Sequence, residues 1–182
     1  LLDLAAALEG LFVLYNGPRC GASAPDHLHF QAGALEELPV VGVAEGAEGP
    51  ALGAWGARSI LLRGGRESVV AEAERVLALL ASALPQEPEP WVNLVAWRAP
   101  DGGFVLLLYP RAKHRPDAYH RGELTVSPAA IDLSGLVVAP VERDFERLTA
   151  AAVGAVFDEV TVGGDVLRAA TGGLRGKRAA GS

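Results

Sequence analysis

Methionine is absent from all 182 residues, position 1 included. That points to a fragment whose start lies upstream, where there is room for further strands or base-binding residues. Cysteine occurs once, as Cys20. One thiol excludes an internal disulfide framework and suits a reducing cytoplasm. A single small side chain in a loop needs no reactive role. No apolar run approaches the ~20 residues that a membrane-crossing helix needs. No basic segment precedes the apolar N-terminus, which argues against a signal peptide. Positive charge is also scarce. Sixteen Lys and Arg face 22 Asp and Glu, for a net charge of −6. That balance argues against a general nucleic-acid binder, although a local nucleotide site is compatible with it. The Gly64-Gly65 pair lacks the lysine of a phosphate loop and reads as a turn. There is no short-period repeat.

What is present is a concentrated stretch. Two of the four histidines lie two residues apart in Asp26-His27-Leu28-His29-Phe30-Gln31. On a strand, His27, His29 and Gln31 would share one face, with Leu28 and Phe30 on the other. Neutral imidazole is a nucleophile near neutral pH. Attack on phosphorus would split one displacement into two through a covalent intermediate. Upstream lie Gly17, Gly21 and Ser23. Glycines let backbone approach a ligand, and exposed N–H groups make anion nests. Rival readings stay open on the residues alone. A His-x-His strand can bind zinc, with a third ligand from His114, His120, Cys20 or a carboxylate, but no companion motif has metal-ligand spacing. The pair could also be structural, bonded to backbone carbonyls, or a coincidence after an Asn-Gly-Pro turn.

His-x-His-x-Gln preceded by Asn16, Gly21 and Ser23 resembles the histidine-triad superfamily, in the branch whose last triad position is Gln. That branch holds galactose-1-phosphate uridylyltransferase, diadenosine tetraphosphate phosphorylase and GDP-L-galactose phosphorylase. The wording of residues 15–33 resembles a bacterial group within it. Tyr109-Pro-Arg-Ala-Lys-His-Arg-Pro116 and Ser127-Pro-Ala-Ala-Ile-Asp-Leu-Ser-Gly135 are further matching patches. The resemblance implies His29 as nucleophile, His27 as its orienting partner and Gln31 as a phosphate hydrogen-bonding group. It implies phosphate contacts from Ser23, Gly21 and Ala22, and from Lys113 and His114. It implies a supporting role for Asn16. It further implies a fold of two degenerate halves, with 91–140 as the half lacking its own His-x-His, and a homodimer as one arrangement. No tightly bound cofactor and no protein-held metal are implied, and magnesium could arrive with the nucleotide.

Along the chain, residues 1–10 read as the end of a helix closed by Gly10, and 11–15 as a short buried strand. An antiparallel pair of 11–15 with 27–32 would put the glycine-rich loop at the mouth of a site. Residues 33–54 read as a loop whose one strand-like piece is 40–43. A strand is expected at 57–62, and a helix at 69–84 capped by Ser68. Its apolar stripe is Val69, Ala73, Val76, Leu77, Leu80 and Leu84. Residues 85–90 form a stiff Pro-rich connector. Residues 91–97 and 104–109 flank Pro100-Asp-Gly-Gly103 as a hairpin. The stretch 111–121 is a basic loop carrying Arg111, Lys113, Arg115 and Arg121. Strands follow at 124–126 and 135–139, then a helix over 142–157 burying Phe145, Leu148, Ala152, Val153 and Val156. Residues 163–182, with Arg175, Lys177 and Arg178, read as a frayed tail.

The expectation is an α+β domain over 1–162, an antiparallel sheet with packed helices. Its function would be a nucleotidyltransferase or phosphorylase acting on a nucleoside diphosphate sugar or dinucleoside polyphosphate. A hydrolase of the same fold and a non-catalytic nucleotide-binding module are the alternatives.

Overall fold

The computed structural model describes residues 1–52, 55–84, 89–172 and 174. The strands are β1 (Leu11–Asn16), β2 (Gln31–Ala34), β3 (Ile60–Gly64), β4 (Val92–Arg98) and β5 (Phe104–Pro110). They form one antiparallel sheet in the order β2-β1-β4-β5-β3. The helices are α1 (Leu2–Ala7), α2 (Val40–Gly46), α3 (Arg66–Leu80), α4 (Asp117–His120), α5 (Ala130–Leu133), α6 (Glu142–Arg147), α7 (Ala150–Val160) and α8 (Gly164–Thr171). The α+β expectation therefore holds, with the sheet open at both edges.

Alternation along each strand divides the apolar residues between two cores. One face carries Phe12, Leu14, Leu61, Val95, Trp97, Val105 and Leu107, covered by Val40 and Ala44 of α2, Ala130 and Leu133 of α5, and Val156, Phe157 and Val160 of α7. The other carries Val13, Ile60, Leu62, Ala96, Leu106 and Leu108, covered by α1, α3 and α8. Helices on both faces explain why every residue of β5 is buried. The 91–97/104–109 hairpin is present, closing through 99–103.

Several expectations need correction. The strand expected at 27–32 begins only at Gln31, and its last partner is Leu14. His27 and His29 therefore lie in a loop, and His27, His29 and Gln31 do not share a strand face. Among the described residues no helix packs substantially on β2, so Leu28 and Phe30 gain little by alternating and stay 71% and 38% exposed. The strand-like valines at 40–43 are helical in α2, because Val40 and Ala44, four apart, reach the core together. Helix α3 starts three residues before the expected 69. Its N-cap is Gly65 rather than Ser68.

Neither 124–126 nor 135–139 pairs as a strand. Their N–H groups find other acceptors: Thr125 donates to Asp144 Oδ2 (2.6 Å) and Val138 to Asp132 Oδ1 (2.7 Å), while Leu124, Gly135 and Leu136 donate to nearby backbone carbonyls. The single helix expected over 142–157 is two. Thr149 caps the second, its Oγ1 accepting from Ala152 N at 3.2 Å, and Phe145 on the first is 73% exposed rather than buried. Residues 164–171, expected inside the frayed tail, form α8, whose Val166, Leu167 and Ala170 pack on the second core. The connector at 85–88 and the basic residues at 175–178 lie outside the described residues.

Candidate functional site

A polar knot sits where the sheet ends beneath the histidine loop. Asn16 closes β1 directly opposite Asn93 of β4. Asn93 Nδ2 donates to Asn16 Oδ1 (2.7 Å) and to the Cys20 carbonyl (2.6 Å). Asn16 Oδ1 also accepts from Ala130 N (2.8 Å) at the start of α5. Arg111 follows β5 and is 0% exposed. Its Nη1 donates to Asn93 Oδ1 (2.6 Å) and the Pro128 carbonyl (2.9 Å), and its Nε to the Val160 carbonyl (3.2 Å). Its Nη2 donates to the carbonyls of Lys113 (3.1 Å) and His114 (2.9 Å). All five guanidinium N–H groups are thus accepted by neutral oxygens. Burial pulls the Arg111 pKa down to about 10, against a smaller opposing effect of Cys20 and Asp132. At neutral pH the side chain stays charged.

The knot fixes the glycine-rich loop from below. Gly21 has φ +87°, and a Cβ there would stand 2.7 Å from the Ala129 Cβ, so only glycine lets the loop lie against the 128–130 segment. Cys20 is buried in the same loop, and burial pushes its thiol up to about 12. It is packing, not a nucleophile.

Above the knot the histidines are accessible. Their rings are 5.6 Å apart, inclined at 49°. His29 Nδ1 lies 3.3 Å from the His27 carbonyl oxygen. A carbonyl only accepts, so the proton belongs on Nδ1 and the Nε2 lone pair is left available. Asn16 Nδ2 donates to Gln31 Oε1 across a long 3.4 Å. Phe30 leans on Tyr15, with ring centroids 6.0 Å apart, and the Tyr15 hydroxyl donates to Glu89. A cleft of about 240 Å³ opens here, lined in part by Tyr15, Asn16, Ala22, Asp26, His27 and Glu89.

Of the residues singled out in the sequence, the cleft gathers Asn16, Ala22 and His27. His29, Gln31, Gly21 and Ser23 do not line it, and neither do Lys113 and His114. Lys113 is already paired, at 2.8 Å to Asp117 and 2.7 Å to Glu159. A phosphate there would have to displace a carboxylate. Burial lowers the His114 pKa, and the positive charges of Arg115, Arg111 and Arg19 and the neighbouring His120 lower it further. The basic 111–121 stretch and the histidine loop, which carries Arg19, therefore meet electrostatically. Arg111 itself, one of the cations of the expected basic loop, is interior.

The matching family model has the description of a domain of unknown function (DUF4922). It covers residues 1–34. Neither a curated protein nor a solved structure matches the chain. The matched stretch runs from α1 to the end of β2 and so contains the histidine loop and Asn16, but not Asn93 or Arg111. Asn93 was legible in principle. A polar residue in the row Trp91, Asn93, Val95, Trp97, on a core-facing strand, must have a buried partner. Glu89 and Arg19 carried no comparable signal.

Proposed function

We propose that this chain is a nucleotidyltransferase of phosphorylase type, working through a nucleotidyl-His29 intermediate in a histidine-triad-like site. The observation that supports it best is the His29 Nδ1–His27 carbonyl contact, which directs the lone pair of His29 to Nε2. In the first step Nε2 attacks the α-phosphorus of a nucleoside diphosphate sugar or dinucleoside polyphosphate. A P–N bond forms and the P–O bond to the leaving group, a sugar phosphate or a nucleoside polyphosphate respectively, breaks. In the second step an oxygen of inorganic phosphate or of a sugar phosphate attacks the same phosphorus and the P–N bond breaks. The cleft beside His27 has acidic walls at Asp26 and Glu89, so it suits the uncharged part of the nucleotide. The phosphates then fall to the side where Arg19, Arg115 and His120 surround His114. The amide of Gln31, the hydroxyl of Ser23 and backbone N–H groups near Gly21 and Ala22 supply neutral donors.

The test is a chemical trap. The protein is incubated with labelled nucleoside diphosphate sugars and labelled dinucleoside tetraphosphates, then denatured in alkali. An acid-labile adduct on His29, absent from His29→Ala, is the expected result. Failure of every donor to label the unmutated chain overturns the reading in favour of a binding module. Product analysis with and without inorganic phosphate separates phosphorolysis from hydrolysis.

A further inference from the structure

At the other end of the sheet, a second recess is bordered by residues whose hydrogen-bond donors have no acceptors among the described residues. Phe12, Trp97, Val105 and Arg63 form one cross-strand row. Trp97 lies four residues along β4 from Asn93, so the row is roughly 13 Å from the polar knot along the strand. Trp97 is 0% exposed. Its Nε1 and the Nε and Nη2 of Arg63 are buried with no partner among the described residues. Only Arg63 Nη1 is used, donating to the Ala47 carbonyl at 3.1 Å just past α2. All three donors belong to residues lining a cleft of about 280 Å³, whose walls include Ala99, Pro100, Phe104 and Val105.

Buried donors without acceptors are rare, because each loses its water and gains nothing in return. The two idle Arg63 atoms are also a matched pair. Nε–H and the Nη2–H beside it point in parallel along one edge of the guanidinium, the geometry that grips both oxygens of a carboxylate. The rim adds a selection rule. Glu45 and Asp101 line the same cleft, and neither forms an ion pair with Arg63 among the described residues. Asp101 is committed to Gly103 N at 2.9 Å. Two fixed negative charges repel a doubly charged phosphate more than a singly charged acid.

We propose that this recess is a binding site for a small monocarboxylic acid with an apolar body. The three donors are closed to solvent, so binding turns the Arg63 edge toward the cleft; the carboxylate then bridges Nε and Nη2 and accepts from the Trp97 indole, and its hydrocarbon part rests on Ala99, Pro100 and Phe104. The site is separate from the histidine loop and stands or falls independently of the nucleotidyl-transfer reading.

The probe is isovalerate, titrated into protein carrying ¹⁵N-labelled tryptophan. The Trp97 indole resonance is assigned by its loss in Trp97→Phe. A saturable downfield shift of that resonance is expected, with millimolar affinity. Arg63→Gln weakens the binding at least tenfold. Glu45→Gln alters only an exposed rim residue, and it tightens isovalerate about threefold by removing a like charge. Inorganic phosphate gives the weaker response with the unmutated chain. The proposal is overturned if the indole does not move, or if Arg63→Gln shifts as the parent does. It also fails if phosphate equals isovalerate, or if the indole shows only a cross-peak to a trapped water that isovalerate leaves unchanged.

Discussion

Replacing Arg111 by methionine keeps the side chain's length and removes its charge, yet leaves five neighbouring oxygens without their donor. Each buried acceptor left unsatisfied costs about 1–3 kcal/mol, and a urea titration should read a loss of at least that order. The proposed nucleotidyl transfer should fall as well, because Arg111 holds the His114 backbone directly and braces Asn93, which in turn holds the Cys20 carbonyl. Cys20 offers a simple control. With its pKa pushed up to about 12 by burial, it should resist thiol reagents in the native protein at mildly alkaline pH and react fully once urea unfolds the chain. His114 sets a pH dependence of defined sign. Its pKa is depressed from the ordinary 6.5, first by burial and then by neighbouring positive charges. Well above that value the ring is neutral folded or unfolded, and it adds no slope. As pH falls through about 6.5 the unfolded ring takes a proton that the folded one resists, so stability drops. His114→Gln should flatten that part of a stability profile measured from about pH 8 down to about pH 5.

Thr149 separates α6 from α7 by turning its hydroxyl onto the Ala152 N–H. Thr149→Ala should cost about 1 kcal/mol, as loss of an N-cap does, and should lower the helical signal on heating before the sheet melts. The same residue shows what the sequence could and could not reveal. The β4–β5 hairpin was legible because its alternation, its Asp-Gly-Gly turn and its two-sided burial all agree. The α7 stripe was legible too, through Val153 and Val156. Phe145 misled because it repeats in phase with that stripe, while the chain turns at Leu148 and points it to solvent. The segments at 124–126 and 135–139 misled for another reason. Their β-branched residues promise pairing, but Thr125 and Val138 give their N–H groups to the carboxylates of Asp144 and Asp132, and their neighbours bond to turn carbonyls. For the candidate site, the pattern located the loop and the paired imidazoles. It could not anticipate that the loop stays off the sheet, since that depends on how little helix packing reaches β2 among the described residues. Nor could it tell that Arg111 turns inward while Arg115 and Arg121 stay outside.

On the scale of the whole molecule, β5 lies between two cores with every residue buried, whereas β2 is a four-residue edge strand half in solvent. Amide exchange should follow that gradient. Protection should be greatest in Leu106–Leu108, approaching global stability, and least in residues 22–30, with β2 between them. Equal protection of β2 and β5 would contradict the layering. The gradient also places the two sites differently. The histidine loop borders the exposed edge strand β2, and the Arg63–Trp97 recess joins β3, the other edge strand, to the interior strands β4 and β5. Ligand-induced slowing of exchange should therefore be large at the first and small at the second.

The oxygens that receive Arg111 come from positions as far apart in the chain as Asn93, Pro128 and Val160. On a ribosome, the segment bearing the paired imidazoles emerges long before the residues that brace it from beneath. A nascent chain halted ahead of Val160 would carry every chemically active group of the loop and still hold it unbraced. Competence for chemistry would thus switch on late in synthesis, when the last acceptor leaves the exit tunnel and the guanidinium can close its ring of bonds.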